Sequence, residues 1–389
     1  MSLQEISQSN FFQKAKIDRA HIDVLFQSLK NRGYSLVGPK ISEGAIIYDF
    51  LDVVDELPIG WTDEQEAGTY RIKQREDQAL FGYNLGPHSW KKFLFSARKR
   101  VWQGQKTSEG SFKTVQEIAT QSQRYAFIGV RSCELHAIQI QDRVFMNSQY
   151  QDTEYKQKRA DNFIVAVNCG QAGKTCFCTS LNTGPRVSQG YDLALTEILD
   201  GGTHYFVVES GSERGLAVLQ ELPCQSVSNN DLEAVDKCIE KAVGQMGRAI
   251  DTTDIKAFLY RNYDNKHWRK LEERCLTCAN CTMVCPTCFC SKIEDTTDLT
   301  GEYAERWQTW DSCFTMDFSY THGGAVRAST QSRYRQWLVH KLASWIDQFG
   351  TSGCVGCGRC ITWCPVGIDL TEEIKALKQA EREAKNGEN

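Results

Sequence analysis

The chain of 389 residues sets 45 lysines and arginines against 49 aspartates and glutamates, a formal charge of −4, so it lacks the basic footprint that a nucleic-acid partner requires. No apolar stretch approaches the roughly 20 residues that cross a bilayer, and the opening MSLQEISQSNFF has neither the basic region nor the apolar core of a secretory signal. Seventeen cysteines in such a chain argue against the disulfide framework of a short secreted domain and for metal or redox chemistry in the cytoplasm.

The first region reads as α/β. Residues 17–30 place Ile17, Ile22, Leu25, Phe26 and Leu29 on one helical face, with Gly33 as a C-cap. Short apolar runs rich in β-branched or aromatic residues predict strands at 45–50, 124–130, 163–167 and 204–208. Helical spacing follows at 134–146, with Leu135, Ile138 and Phe145, and at 191–199, with Leu193, Leu195 and Ile198. Strands alternating with helices imply a largely parallel sheet. The basic run Arg98, Lys99 and Arg100 reads as a solvated loop. The polar stretch SVSNN at 226–230 marks a boundary, giving an α/β domain over 1–228 and a second domain over 229–389.

The second domain reads as helical, at 231–246, 254–262 and 331–349. It carries the same cysteine run twice: Cys275, Cys278, Cys281 and Cys285 before Pro286, and Cys354, Cys357, Cys360 and Cys364 before Pro365. This is the C-x2-C-x2-C-x3-C-P spacing of two-cluster bacterial ferredoxins, in which the fourth cysteine of each run ligates the other run's cluster. The expected wiring is crossed. One [4Fe-4S] cluster sits on Cys275, Cys278, Cys281 and Cys364, the other on Cys354, Cys357, Cys360 and Cys285. Paired C-x2-C units also build structural zinc sites, but zinc gives no reason for a third C-x2 step or for the proline after each run. The stretch from Pro286 to Gly353 is far longer than a ferredoxin hairpin repeat needs, and its helical patterns predict an α-helical ferredoxin-type dicluster domain. The tail 371–389 reads as a solvated helix of lysine and glutamate.

Four more cysteines gather by topology. Cys133 follows the strand at 124–130 and opens a helix, Cys169 ends the strand at 163–167, and Cys176 and Cys178 lie just beyond. In a parallel sheet both strand ends lie at the carboxyl edge, where sites of open α/β folds collect, and the helix N-terminus favours a thiolate at Cys133. The set can ligate a third [4Fe-4S] cluster, or remain four free buried thiols. It can also form a reaction site, for instance for polysulfide, with Cys133 as a low-pKa thiolate and His136 as proton donor. Cys288 and Cys290, in a second TCFC, and Cys313, in WDSC, supply a further site or pack near a cluster. Cys224 and Cys238 receive no role, and Trp307, Trp310, Trp337, Trp345 and Trp363 read as a dry shell around the clusters.

The segments GPHSWKKFLF (86–95), GVRSCELHAIQIQDRVF (129–145), VNCGQAGKTCFCTSLNTGP (167–185), CLTCANCTMVCPTCFC (275–290), WDSC (310–313) and CVGCGRCITWCP (354–365) resemble the beta subunit of cytoplasmic NAD(P)-linked [NiFe] hydrogenases of the sulfhydrogenase type. They are similar to the same extent to the A subunit of anaerobic sulfite reductase. The resemblance covers about residues 55–365. It implies an iron–sulfur subunit of a hetero-oligomer, standing between a partner that holds FAD and exchanges electrons with NAD(P)H and a catalytic partner that uses them. That last partner is implied to be the small and large [NiFe] hydrogenase subunits, or a siroheme sulfite reductase. The chain itself shows no G-x-G-x-x-G after a strand, no P-loop and no Ni-site cysteine pairs near both termini, so no residue is assigned a catalytic role.

Overall fold

The computed structural model describes residues 12–84, 86–115, 123–147 and 149–387; most of the opening segment and the last two residues of the tail lie outside these. Every residue of the strand Phe163–Val167 (FIVAV) is buried, as in a parallel sheet covered on both faces. It lies at the middle of a seven-stranded sheet ordered Lys14–Asp18, Thr203–Ser210, Leu193–Asp200, Phe163–Val167, Tyr125–Val130, Ser35–Ser42 and Ala45–Phe50. The four central strands run parallel, and antiparallel strands extend both edges. Alternate residues serve opposite faces. Phe163, Val165 and Val167 enter a core with Leu25, Phe26 and Leu29 of the helix Ile22–Asn31, whereas Ile164 and Ala166 pack with Leu135 and Ile138 of the helix Ser132–Phe145. The α/β architecture with a parallel centre is therefore present.

Two local expectations are corrected. Residues 191–199 form the strand Leu193–Asp200, not a helix, with Leu193 through Thr196 all buried. A strand covered on both faces shows no alternation, so its apolar spacing imitates a helix. The better signal is Gly201-Gly202, at φ 54° and 86°, the two left-handed residues of a tight hairpin joining it to Thr203–Ser210. At the amino end, Ile17 belongs to the strand Lys14–Asp18, and the helix starts only at Ile22. Gly33 closes that helix at φ 81°, with Tyr34 N donating to Leu29 O and Gly33 N to Lys30 O, a Schellman pair.

The carboxyl-terminal region is built mainly of the helices Asn229–Gly244, Ile255–Arg261, Thr330–Val339, Trp345–Phe349 and Leu370–Gly387. A π turn, His340–Ser344, joins the third of these to the fourth. Between the cysteine runs the chain also forms an antiparallel pair, Ser291–Thr297 with Tyr303–Trp310, which helical spacing did not foresee. This pair continues onto Arg98–Lys106 and Phe112–Thr114 as a four-stranded sheet. The basic run therefore lies on a strand, not a loop: Lys99 bonds Asp152 and Arg100 bonds Glu305, each at 2.7 Å. The tail helix is not wholly solvated either, because Leu370, Ile374 and Leu377 enter the helical core. Among the described residues no helix is long and apolar enough to cross a membrane.

Candidate metal centres

The first cysteine run doubles back on itself because Thr277 and Ala279 take the left-handed region, at φ 51° and 64°, where a β-branched residue is rarely found. Cys275, Cys278 and Cys281 thereby line one cavity, and Cys364 of the other run joins them there. Cys275 Sγ accepts from Thr277 N at 3.4 Å, and Cys364 Sγ from Ile368 N at 3.3 Å, contacts that fix where the two sulfurs stand. Phe314, Tyr334 and Trp337 supply apolar walls. Burial, and then its neighbours Cys275 and Cys364, push the Cys281 thiol far up.

The second run repeats the path with Gly356 and Gly358, at φ 63° and 76°. Cys354, Cys357 and Cys360 line a second cavity with Cys285, and Gly356 N donates to Cys354 Sγ at 3.5 Å. Glycine is needed here for space as well as for φ. A Cβ on Gly356 would stand 2.6 Å from Cys178 Cα, and one on Gly358 2.5 Å from Thr175 O. This loop therefore lies backbone to backbone against residues 175–178, with Phe177 N donating to Gly356 O at 2.9 Å.

The same contact completes a third cavity. Cys133, Cys169, Cys176 and Cys178 all line it, together with Cys357. Cys133 is the second residue of the helix Ser132–Phe145, which follows the strand Tyr125–Val130, and Cys169 lies two residues past Phe163–Val167. The parallel strands deliver both to one edge. Burial pushes the Cys133 thiol well above its ordinary range, and Cys178 and Cys357 push it further. Cys176 is raised to about 12 for the same first reason. The low-pKa thiolate expected at Cys133 is thus corrected: desolvation can shift a buried thiol by several units, whereas a helix terminus offers only about 0.3–1 kcal/mol. His136 is half-buried, and burial lowers its pKa.

Buried charges tie these cavities together, and no local pattern announces them. Glu134, next to Cys133, accepts from Arg359 Nη2 at 2.5 Å, from Tyr48 Oη at 2.8 Å and from Trp90 Nε1 at 3.0 Å. Arg359 sits between Cys357 and Cys360, so the pair, 0% and 1% exposed, links the second run to the helix that carries Cys133. Arg359 Nη1 is buried without a partner. Burial raises the Cys357 thiol, while the Arg359 guanidinium acts against that rise. Lys341, in the π turn, donates to Cys285 Sγ at 3.1 Å.

Cys288, Cys290 and Cys313 line none of the three cavities. A hydrogen bond from Cys313 holds the Cys290 thiol below its ordinary range, and Cys288 O accepts from the buried Lys91 at 3.2 Å. Among the described residues no three His, Cys, Asp or Glu side chains converge closely enough to hold a single metal ion. The cysteines instead surround spaces, unlike the tight tetrahedron of zinc with its Zn–S bonds of about 2.3 Å.

The profile of a 4Fe-4S dicluster domain matches residues 274–368. The chain is 32% identical over 336 residues to sulfhydrogenase 2 subunit beta of Pyrococcus furiosus, a match covering 85% of this chain and 95% of that one. No solved structure matches.

Proposed function

This chain belongs to the family of sulfhydrogenase beta subunits, iron–sulfur subunits of electron transfer, and on that premise we propose that it relays single electrons through three [4Fe-4S] centres. Cys275, Cys278, Cys281 and Cys364 would hold the first, Cys354, Cys357, Cys360 and Cys285 the second, and Cys133, Cys169, Cys176 and Cys178 the third. One observation carries the reading. Cys360 lines both the first and second cavities, and Cys357 both the second and third, so the three thiol sets form a continuous row.

The residues suit such clusters. Each set offers four thiols, backbone N–H groups already point at Cys275, Cys354 and Cys364, and the unpartnered Arg359 Nη1 beside the second cavity calls for an acceptor. When bound, a [4Fe-4S] cluster supplies a one-electron couple whose potential depends on hydrogen bonds and burial. The chain's own task is to exclude water, fix the spacing and balance charge. Its partners in a cytoplasmic complex would be an FAD subunit that exchanges electrons with NAD(P)H and the [NiFe] hydrogenase subunits. A siroheme sulfite reductase in place of the hydrogenase would change the partner and not the row.

Iron and sulfide counts on the anaerobically purified chain test the proposal. About twelve irons support three centres, about eight would leave the sheet-edge thiols free, and fewer would overturn the relay. Under the crossed assignment, Cys364→Ser abolishes the electron paramagnetic resonance signal of the first-run centre and spares the second; the reverse outcome would refute that wiring.

A further inference from the structure

We propose that Lys341 sets the reduction potential of the middle centre, as a fixed positive charge bonded to the crossing ligand Cys285. This rests on the reading above, that the second cavity holds a cluster. Lysine is a surface residue by habit, yet Lys341 is 3% exposed. Its ammonium has three N–H groups, and three acceptors meet it: Cys285 Sγ at 3.1 Å, Thr287 Oγ1 at 3.2 Å and Gly353 O at 3.3 Å. Among the described residues no carboxylate pairs with it. A buried charge without a counter-charge is costly, so the compensating negative charge must come from the sulfur side of this cavity.

The backbone is shaped to put it there. Lys341 belongs to the π turn His340–Ser344, set into an otherwise regular helix. An extra residue of this kind turns the following face by about 100° relative to an unbroken α-helix, and such turns concentrate at functional sites. Trp337 and Trp345, one on each side, lie 5.8 and 6.0 Å from the Lys341 ammonium and keep water away. The neighbouring cavities differ. Among the described residues no lysine or arginine lines the first; the third has Arg131, which donates to the carbonyls of Phe81, Tyr83 and Asn168; and the other cation of the second, Arg359, is already paired with Glu134.

Reduction adds one negative charge to a cluster, and a cation held against a ligand sulfur stabilises the reduced form more than the oxidised one. Lys341 therefore raises the midpoint of the middle centre above the value its four cysteines alone would set. The test is a redox titration followed by electron paramagnetic resonance on the full chain, unsubstituted and as Lys341→Gln and Lys341→Arg, each with iron and sulfide counts. Lys341→Gln is expected to lower one midpoint alone, cutting the ratio of reduced to oxidised centre at fixed potential about tenfold, or about 59 mV for a one-electron couple; Lys341→Arg retains most of the native value. Full iron content with no shifted midpoint would overturn the proposal. If Lys341→Gln loses iron, the unsubstituted chain labelled with 15N-lysine decides: pulsed measurements should show a lysine nitrogen coupled to one centre, and its absence refutes the assignment. An unsubstituted chain without iron at the second cavity would instead refute the cluster reading itself.

Discussion

The two cysteine runs share one spacing and one backbone path, but different surroundings have given them different residues. Position for position, Thr277 answers to Gly356, Ala279 to Gly358 and Asn280 to Arg359. The first run faces outward, with Cys278 exposed and Leu276 61% exposed, so a Cβ fits even where the backbone turns left-handed. The second run lies against the sheet edge, where no Cβ fits. Asn280 only reaches across to Trp363 O, while Arg359 enters a buried ion pair with the α/β part. Spacing thus specifies what each run can bind, and its surroundings specify whether it stands at the rim of the molecule or between two other sites.

The strongest way to break this contrast is Gly356→Ala. Its new Cβ would meet backbone, not a movable side chain, in the left-handed region, and we expect a loss of more than about 4 kcal/mol together with the iron of the second and third sets, measured by thermal unfolding and iron count. Native stability in that variant would mean that the close contact with residues 175–178 is not maintained. Next in size is Glu134→Ala, which leaves Arg359 charged and unpaired in the interior; a destabilisation of about 3–5 kcal/mol is expected in denaturant titrations. The outer counterpart should be mild. Thr277→Gly relieves a left-handed β-branched residue, a strain of about 1–2 kcal/mol, offset in part by the about 0.5–1 kcal/mol entropic cost of glycine, so stability should change by no more than about 1.5 kcal/mol. A large loss there would show that the outer run depends on its side chains as the inner run does.

What could be read beforehand follows the range of each interaction. The doubled cysteine run, the strands Tyr125–Val130 and Phe163–Val167 and the capping Gly33 are local patterns, and they stand in the sequence. The convergence of Cys133 and Cys169 was legible too, because parallel strands carry their ends to one edge. The strand Leu193–Asp200 was misread because full burial removes alternation. The pair Ser291–Thr297 and Tyr303–Trp310 escaped because none of its residues is fully buried, so neither strand carries an apolar rhythm. Lys341, Glu134 and the double position of Cys357 had no local trace. A lysine in a helical stretch and an arginine inside CGRC look like surface residues until segments 56 and 225 positions away are brought against them.

The four-stranded sheet also limits how the chain can be handled as a part. Tyr303–Trp310 is bonded on one side to Ser291–Thr297 and on the other to Arg98–Lys106. A fragment beginning near residue 229 would carry both cysteine runs and yet present that strand with its second edge bare, an invitation to pair with other copies. Grafting these cysteine runs onto another protein therefore means transplanting a piece that starts before Arg98, because the boundary suggested by SVSNN leaves a sheet standing across the cut.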